Sequence, residues 1–75
     1  FAFMPEVESI ADFAFKYFSL TAVCFLKVKS VGDCAFYYCK QLNQVFLPVC
    51  EELGKQCFLG CENIKILHLP KVKKI

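Results

Sequence analysis

The sequence predicts a small all-α domain: a bundle of three helices over about residues 5–29, 33–46 and 48–63, stapled by three disulfides. Three observations predict it. Apolar residues recur at spacings of three and four along most of the chain, the pattern of an amphipathic helix. Breakers stand between the periodic stretches, at Gly32 and at Pro48. Six cysteines in 75 residues far exceed ordinary usage, and a single domain of this size has too small a core to dispense with staples.

The first helix opens at Pro5, with Glu6 and Glu8 near its positive end. Its polar residues Glu8, Asp12, Lys16 and Ser19 share one stripe of roughly 100° on the helical wheel, and the rest is apolar. Ile10, Ala14, Thr21, Phe25 and Val28 centre the apolar arc. Phe13, Tyr17, Leu20 and Cys24 flank it on one side, Phe15, Phe18 and Ala22 on the other. That is more apolar surface than one bundle helix buries.

Ser30-Val31-Gly32-Asp33 ends this helix and caps the next, in an S-x-x-D pattern like a capping box. On the second helix Ala35, Tyr38, Cys39, Leu42, Val45 and Phe46 share a face, leaving Phe36 and Tyr37 outside it. Pro48 opens the third helix, followed by Glu51 and Glu52. Beyond Ile64 the run KILHLPKVKKI has no clear period and reads as an extended tail packing Ile64, Ile66 and Leu69 on the bundle. No internal repeat stands out.

Cys50, Cys57 and Cys61 stand at i, i+7 and i+11, one stripe of the third helix. Disulfides join Cα atoms nearer than about 7 Å, so each of these must pair outside its own helix. Levels in an antiparallel bundle favour Cys24–Cys57, Cys34–Cys61 and Cys39–Cys50, with Cys24–Cys50 and Cys39–Cys57 as the rival. The Cys24-x9-Cys34 interval resembles the twin C-x9-C helical hairpins, but Ser30-Val31-Gly32-Asp33 interrupts it and the later spacings differ. Zinc sites favour closely paired cysteines in turns. The sequence has no C-x2-C pair, so Cys50, Cys57, Cys61 and His68 do not read as ligands, and no cofactor is expected.

A net charge of +2 gives no footprint for a nucleic-acid partner. The acidic residues Glu6, Glu8 and Asp12 gather early, and Lys71, Lys73 and Lys74 late. The longest uncharged runs, Tyr17 to Leu26 and Gln41 to Cys50, are half of the ~20 residues that a spanning helix needs. His68 is the only histidine and has no triad spacing around it, so no enzyme is expected. The cysteine density and a first residue Phe1 that suits a mature chain point to secretion.

The expected function is therefore non-catalytic binding by a small secreted protein. Its surface would be the aromatic surplus of Phe13, Phe15, Tyr17, Phe18, Phe36 and Tyr37. Leaving several such side chains in water, at roughly 1.5–3 kcal/mol each, implies a cover: a second copy in a homodimer or a protein receptor. The alternative is a membrane-active or lipid-binding peptide of the defence or toxin kind, with aromatics in acyl chains and lysines on anionic headgroups.

Overall fold

The computed structural model describes residues 2–73 and contains no helix among them. Phe1 and Lys74, singled out above, lie outside the described residues. Where three helices were expected there are seven short strands: β1 (Ala2–Phe3), β2 (Ser9–Ile10), β3 (Ala22–Cys24), β4 (Ser30–Val31), β5 (Gln44–Phe46), β6 (Glu52–Leu53) and β7 (Ile66–His68). All pairings are parallel. One sheet has the order β1-β3-β5-β7 and the other β2-β4-β6.

The register exposes a repeat. Ala2 lies beside Val23, Val23 beside Val45 and Val45 beside Leu67. In the second sheet Ile10 lies beside Val31, which lies beside Leu53. Equivalent residues are thus 21 apart once and 22 apart thereafter. Each repeat is one coil, running from a strand of the first sheet to a strand of the second and then through a train of tight turns. It returns one strand spacing along, ~4.8 Å for neighbouring strands. The chain is a right-through stack of coils, a short solenoid, and the three predicted helices and the absence of a repeat are both overturned.

The apolar spacing that suggested helices has another cause. In the second coil the buried residues are Ala22, Val23, Phe25, Val28, Val31, Ala35, Phe36, Cys39 and Leu42; in the third they are Val45, Leu47, Cys50, Leu53 and Cys57. The next inward side chain mostly follows after two to four residues, with Ala35 and Phe36 adjacent, which imitates the i, i+3, i+4 pattern. Cys50, Cys57 and Cys61 form a stripe because all three point into the same coil, not because they lie on a helix face. The expected disulfides Cys24–Cys57, Cys34–Cys61 and Cys39–Cys50 are absent, and all six thiols are free. Cys39 and Cys61 are equivalent residues of successive coils, and each thiol donates to a carbonyl of the coil before, Phe15 O and Phe36 O, at 3.0 Å. Burial pushes the thiols of Cys39 and Cys57 up to about 11.

The turn train closes the third side of each coil, over residues 12–17, 33–38 and 55–60. Within a coil, Tyr37 N donates to Cys34 O at 3.2 Å and Leu59 N to Gln56 O at 3.1 Å. Between coils, Phe15 N donates to Ala35 O and Phe36 N to Cys57 O, both at 2.8 Å. This geometry places two residues per coil in the left-handed region: Phe13 and Tyr17, Cys34 and Tyr38, Gln56 and Gly60. Only the last is a glycine, and non-glycine residues held there cost of order 1–3 kcal/mol each. The ladder of coil-to-coil bonds holds them in place.

Entry to the turn train is fixed by aspartates. Asp33 N donates to Asp12 Oδ1 at 2.7 Å, and Lys55 N to Asp33 Oδ1 at 2.8 Å. Each carboxylate thus receives an amide of the following coil, a charge-assisted bond stronger than a neutral one. The Ser30–Asp33 segment therefore begins a corner rather than a helix. At that corner a Cβ on Gly54 would overlap the Gly32 carbonyl carbon and the Asp33 amide nitrogen, so the coils touch backbone to backbone.

Candidate functional site

The turn train presents the densest group of exposed aromatic side chains. Phe13 and Tyr17 occupy the two left-handed positions of the first coil, which aim their side chains away from the core. Both are largely exposed, Tyr17 to 62%. Tyr38 follows Tyr17 at the same position one coil on, with ring centroids 6.1 Å apart. Tyr37 completes a triangle, its ring 5.9 Å from Tyr17 and 4.7 Å from Tyr38, both edge-on. Two coils are needed to assemble this cluster, and the bond from Tyr17 N to Tyr37 O at 2.8 Å fixes their spacing.

The third coil closes the column differently. Gly60 replaces the tyrosine, and a Cβ there would collide with the Tyr38 ring. Tyr38 thus packs closely against Gly60, in space that a side chain there would fill. Beside the cluster an open cleft of about 370 Å³ is lined by Tyr17, Phe18, Ser19, Tyr38, Lys40 and Gln41.

Electrostatically the cluster is weakly positive. The Lys16 ammonium lies 5.3 Å from the ring centres of both Phe13 and Tyr17, a double cation–π contact. It gives these two exposed rings a common orientation. Partial burial raises the Tyr37 phenol above its ordinary value, and the neighbouring Tyr38 and Tyr17 phenols add to the rise. The phenol therefore stays protonated, able to donate as well as accept a hydrogen bond.

Of the six aromatics expected to form a surface, the structure brings Phe13, Tyr17, Phe18 and Tyr37 together at the turn train. It separates the other two. Phe36 is 0% exposed, stacked between Phe15 and Phe58 with centroids 5.4 Å from each and planes within 8°. Phe15 is half-buried at one end of this column and also packs on Phe25 at 6.0 Å. These two rings pack beneath the exposed cluster. Tyr38, which the helical reading assigned to a buried face, belongs to the site instead. Its signal in the sequence is its place one repeat after Tyr17 and one before Gly60.

The other sequence candidates fall elsewhere. His68 lies on β7, exposed, with its ring 6.1 Å from Phe46 on the outer face of the first sheet. Among the described residues, no group of three or more His, Cys, Asp or Glu side chains is placed to hold a metal ion. The helical binding surface has no counterpart in the fold.

A family model described as "BspA type Leucine rich repeat region" matches residues 1–75, in six copies. The backbone itself makes three full coils and part of a fourth over the described residues. No curated protein and no solved structure gives a significant match.

Proposed function

Since the chain belongs to the BspA-type leucine-rich repeat family, we propose that it is a non-catalytic module docking a protein partner on the aromatic turn train. Repeats of this kind generally mediate protein–protein interaction, and stacked coils suit that task because they line up equivalent side chains into continuous surfaces. The observation that carries the choice of surface is the cluster of Phe13, Tyr17, Tyr37 and Tyr38 beside the cleft that Phe18 lines. Tyrosines held rigid before binding lose little entropy on contact, and tyrosine is among the residues that dominate interface energetics.

The membrane-active alternative sets the same aromatics in acyl chains and the lysine tail on anionic headgroups, and among the described residues no helix presents them so. Secretion, the compartment that the cysteine density suggests, remains a proposal.

Panning a random-peptide display library against the immobilised chain tests the surface. Enriched peptides should lose binding to a Tyr17→Asn/Phe18→Ser variant, in which asparagine tolerates the left-handed backbone, and keep binding to Phe46→Ala. Peptides that ignore the first variant and need Phe46 would place docking on the strand face and overturn the proposal.

A further inference from the structure

The cleft beside the tyrosine triangle opens where the coil changes length. Tyr38 follows Tyr17 by 21 residues at the same left-handed position, whereas Gln44 pairs with Ala22 across a step of 22. Residues 39–43 therefore cover in the second coil what residues 18–21 cover in the first, one residue fewer. The cleft lined by Tyr17, Phe18, Ser19, Tyr38, Lys40 and Gln41 coincides with this mismatch. Its walls are set by the difference between two adjoining coils. The longer segment is anchored from the third coil, where Asn63 Nδ2 donates to Lys40 O at 2.7 Å.

Aromatic rings form part of this lining and hydrogen-bond donors the rest. Ser19, Lys40 and Gln41 each carry a side-chain donor, as do the tyrosine phenols, and no carboxylate lines the cleft. Among the described residues no side-chain hydrogen bond engages Ser19 Oγ, Lys40 Nζ or the Gln41 amide. Lys16 borders the cleft, with its ammonium over the Tyr17 ring. Among the described residues neither Lys16 nor Lys40 forms an ion pair, and Glu62, one coil beyond Lys40 in the same register, forms none either. The nearby backbone amides are already used, Tyr17 N on Tyr37 O at 2.8 Å and Tyr38 N on Leu59 O at 2.7 Å. An incoming chain must bring its own acceptors, and it meets no carboxylate for its own N–H groups.

Resting on the reading of the turn train as a docking surface, we propose that this cleft takes a proline-rich segment in the polyproline II conformation, carrying a carboxylate within reach of Lys40 and Lys16. Such a segment makes no internal hydrogen bonds, so each of its carbonyls can accept from the phenols, Ser19 or Gln41. Its prolines have no N–H to leave unsatisfied, and their rings pack on Tyr17, Phe18 and Tyr38. The conformation exists before contact, so little entropy is lost on docking. A helix would bring carbonyls that are already bonded, and an added β-strand needs an open sheet edge, which a turn train lacks. The acid follows from charge: two ammonium groups flank one aromatic cleft without a counter-charge.

The test titrates the whole chain with the peptide acetyl-(Pro-Pro-Glu)3-amide, whose three-residue turn sets every glutamate along one edge. Amide chemical shifts are followed up to about 1 mM peptide. The expected result is a saturating set of shifts grouped at residues 17–19 and 38–41, with binding at least tenfold weaker for acetyl-(Ala-Ala-Glu)3-amide and for acetyl-(Pro-Pro-Lys)3-amide. Lys40→Glu, at an exposed position, should lose tenfold or more for the glutamate peptide and gain affinity for the lysine peptide. Equal binding of the alanine peptide would overturn the proposal, as would no shift at 1 mM or indifference to Lys40→Glu. Peptides enriched by panning separate this failure from that of the docking surface. If they shift residues 17–19 and 38–41 where the proline peptide does not, the surface stands and only its chemistry falls; if they shift the strand face instead, both fall.

Discussion

The ring of Phe36 stacks on that of Phe58 at 5.4 Å, 8° from parallel, although 22 residues separate them in the chain. With Phe15 on the other side, this column runs through three successive coils directly beneath the aromatic turn train. Floor and surface are therefore one construction: the inward residue of each turn train makes the column, and the left-handed Phe13, Tyr17 and Tyr38, with Tyr37, make the cluster above it.

Removing the middle ring should be costly. Phe36→Ala is expected to destabilise the fold by about 3–5 kcal/mol, the range for burying nothing where a phenylalanine was, a large share of the 5–15 kcal/mol typical of a domain. Phe13→Ala, at an exposed position, should change stability by less than about 0.5 kcal/mol. Urea unfolding of the two variants compares them directly.

Gly60 and Tyr38 should behave as a coupled pair. Gly60 has a φ of 81°, and an added Cβ would meet the Tyr38 ring. Gly60→Ala is expected to cost about 1–3 kcal/mol. In a double mutant with Tyr38→Ala the cost should be smaller than the sum, because the steric part disappears with the ring while the backbone strain remains. A double-mutant cycle in thermal unfolding reads the difference.

The aspartate corner should be worth about 1 kcal/mol per step, by analogy with a capping side chain. Asp33→Ala leaves Lys55 N without its carboxylate acceptor, whereas Asp33→Asn keeps an acceptor oxygen. Denaturation midpoints should fall in the order wild type, Asp33→Asn, Asp33→Ala.

The buried thiols set an alkaline limit. Burial raises Cys39 and Cys57 from 9.0 to about 11, so the folded state keeps these protons while the unfolded chain releases them. The stability they contribute is intact below about pH 9 and declines as pH rises towards 11. Unfolding of the reduced protein at several pH values should show that slope. Alkylation at pH 8.5 should modify the partly exposed Cys24 before Cys39.

Local chemistry made some of this legible in the sequence and hid the rest. Of the apolar face that spacing defines over 33–46, Ala35, Cys39, Leu42 and Val45 are buried and Tyr38 is exposed, because inward positions follow apolar spacing in coils much as in helices. The period itself was hidden: strands of two or three residues are too short to alternate visibly, and turn trains here carry Phe, Cys and Tyr where left-handed residues are ordinarily glycine. The repeat is nevertheless written in Phe36 and Phe58, Cys39 and Cys61, Gly32 and Gly54, and Pro48 and Pro70, each pair 22 residues apart. Those four coincidences are its signal. At the candidate site, Phe13, Tyr17, Phe18 and Tyr37 lie on the turn train, and the large number of aromatics in the sequence makes the exposure of several of them expected. Phe36 is buried and Phe15 half-buried because the coil turns inward positions that a helical wheel leaves outward.

Nuclear Overhauser contacts test the 22-residue coil most directly. Contacts from the Phe36 ring to both the Phe15 and Phe58 rings, with backbone contacts between Val23 and Val45, are the predicted result. A continuous series of i to i+3 backbone contacts through residues 5–29, without those cross-coil contacts, would contradict it.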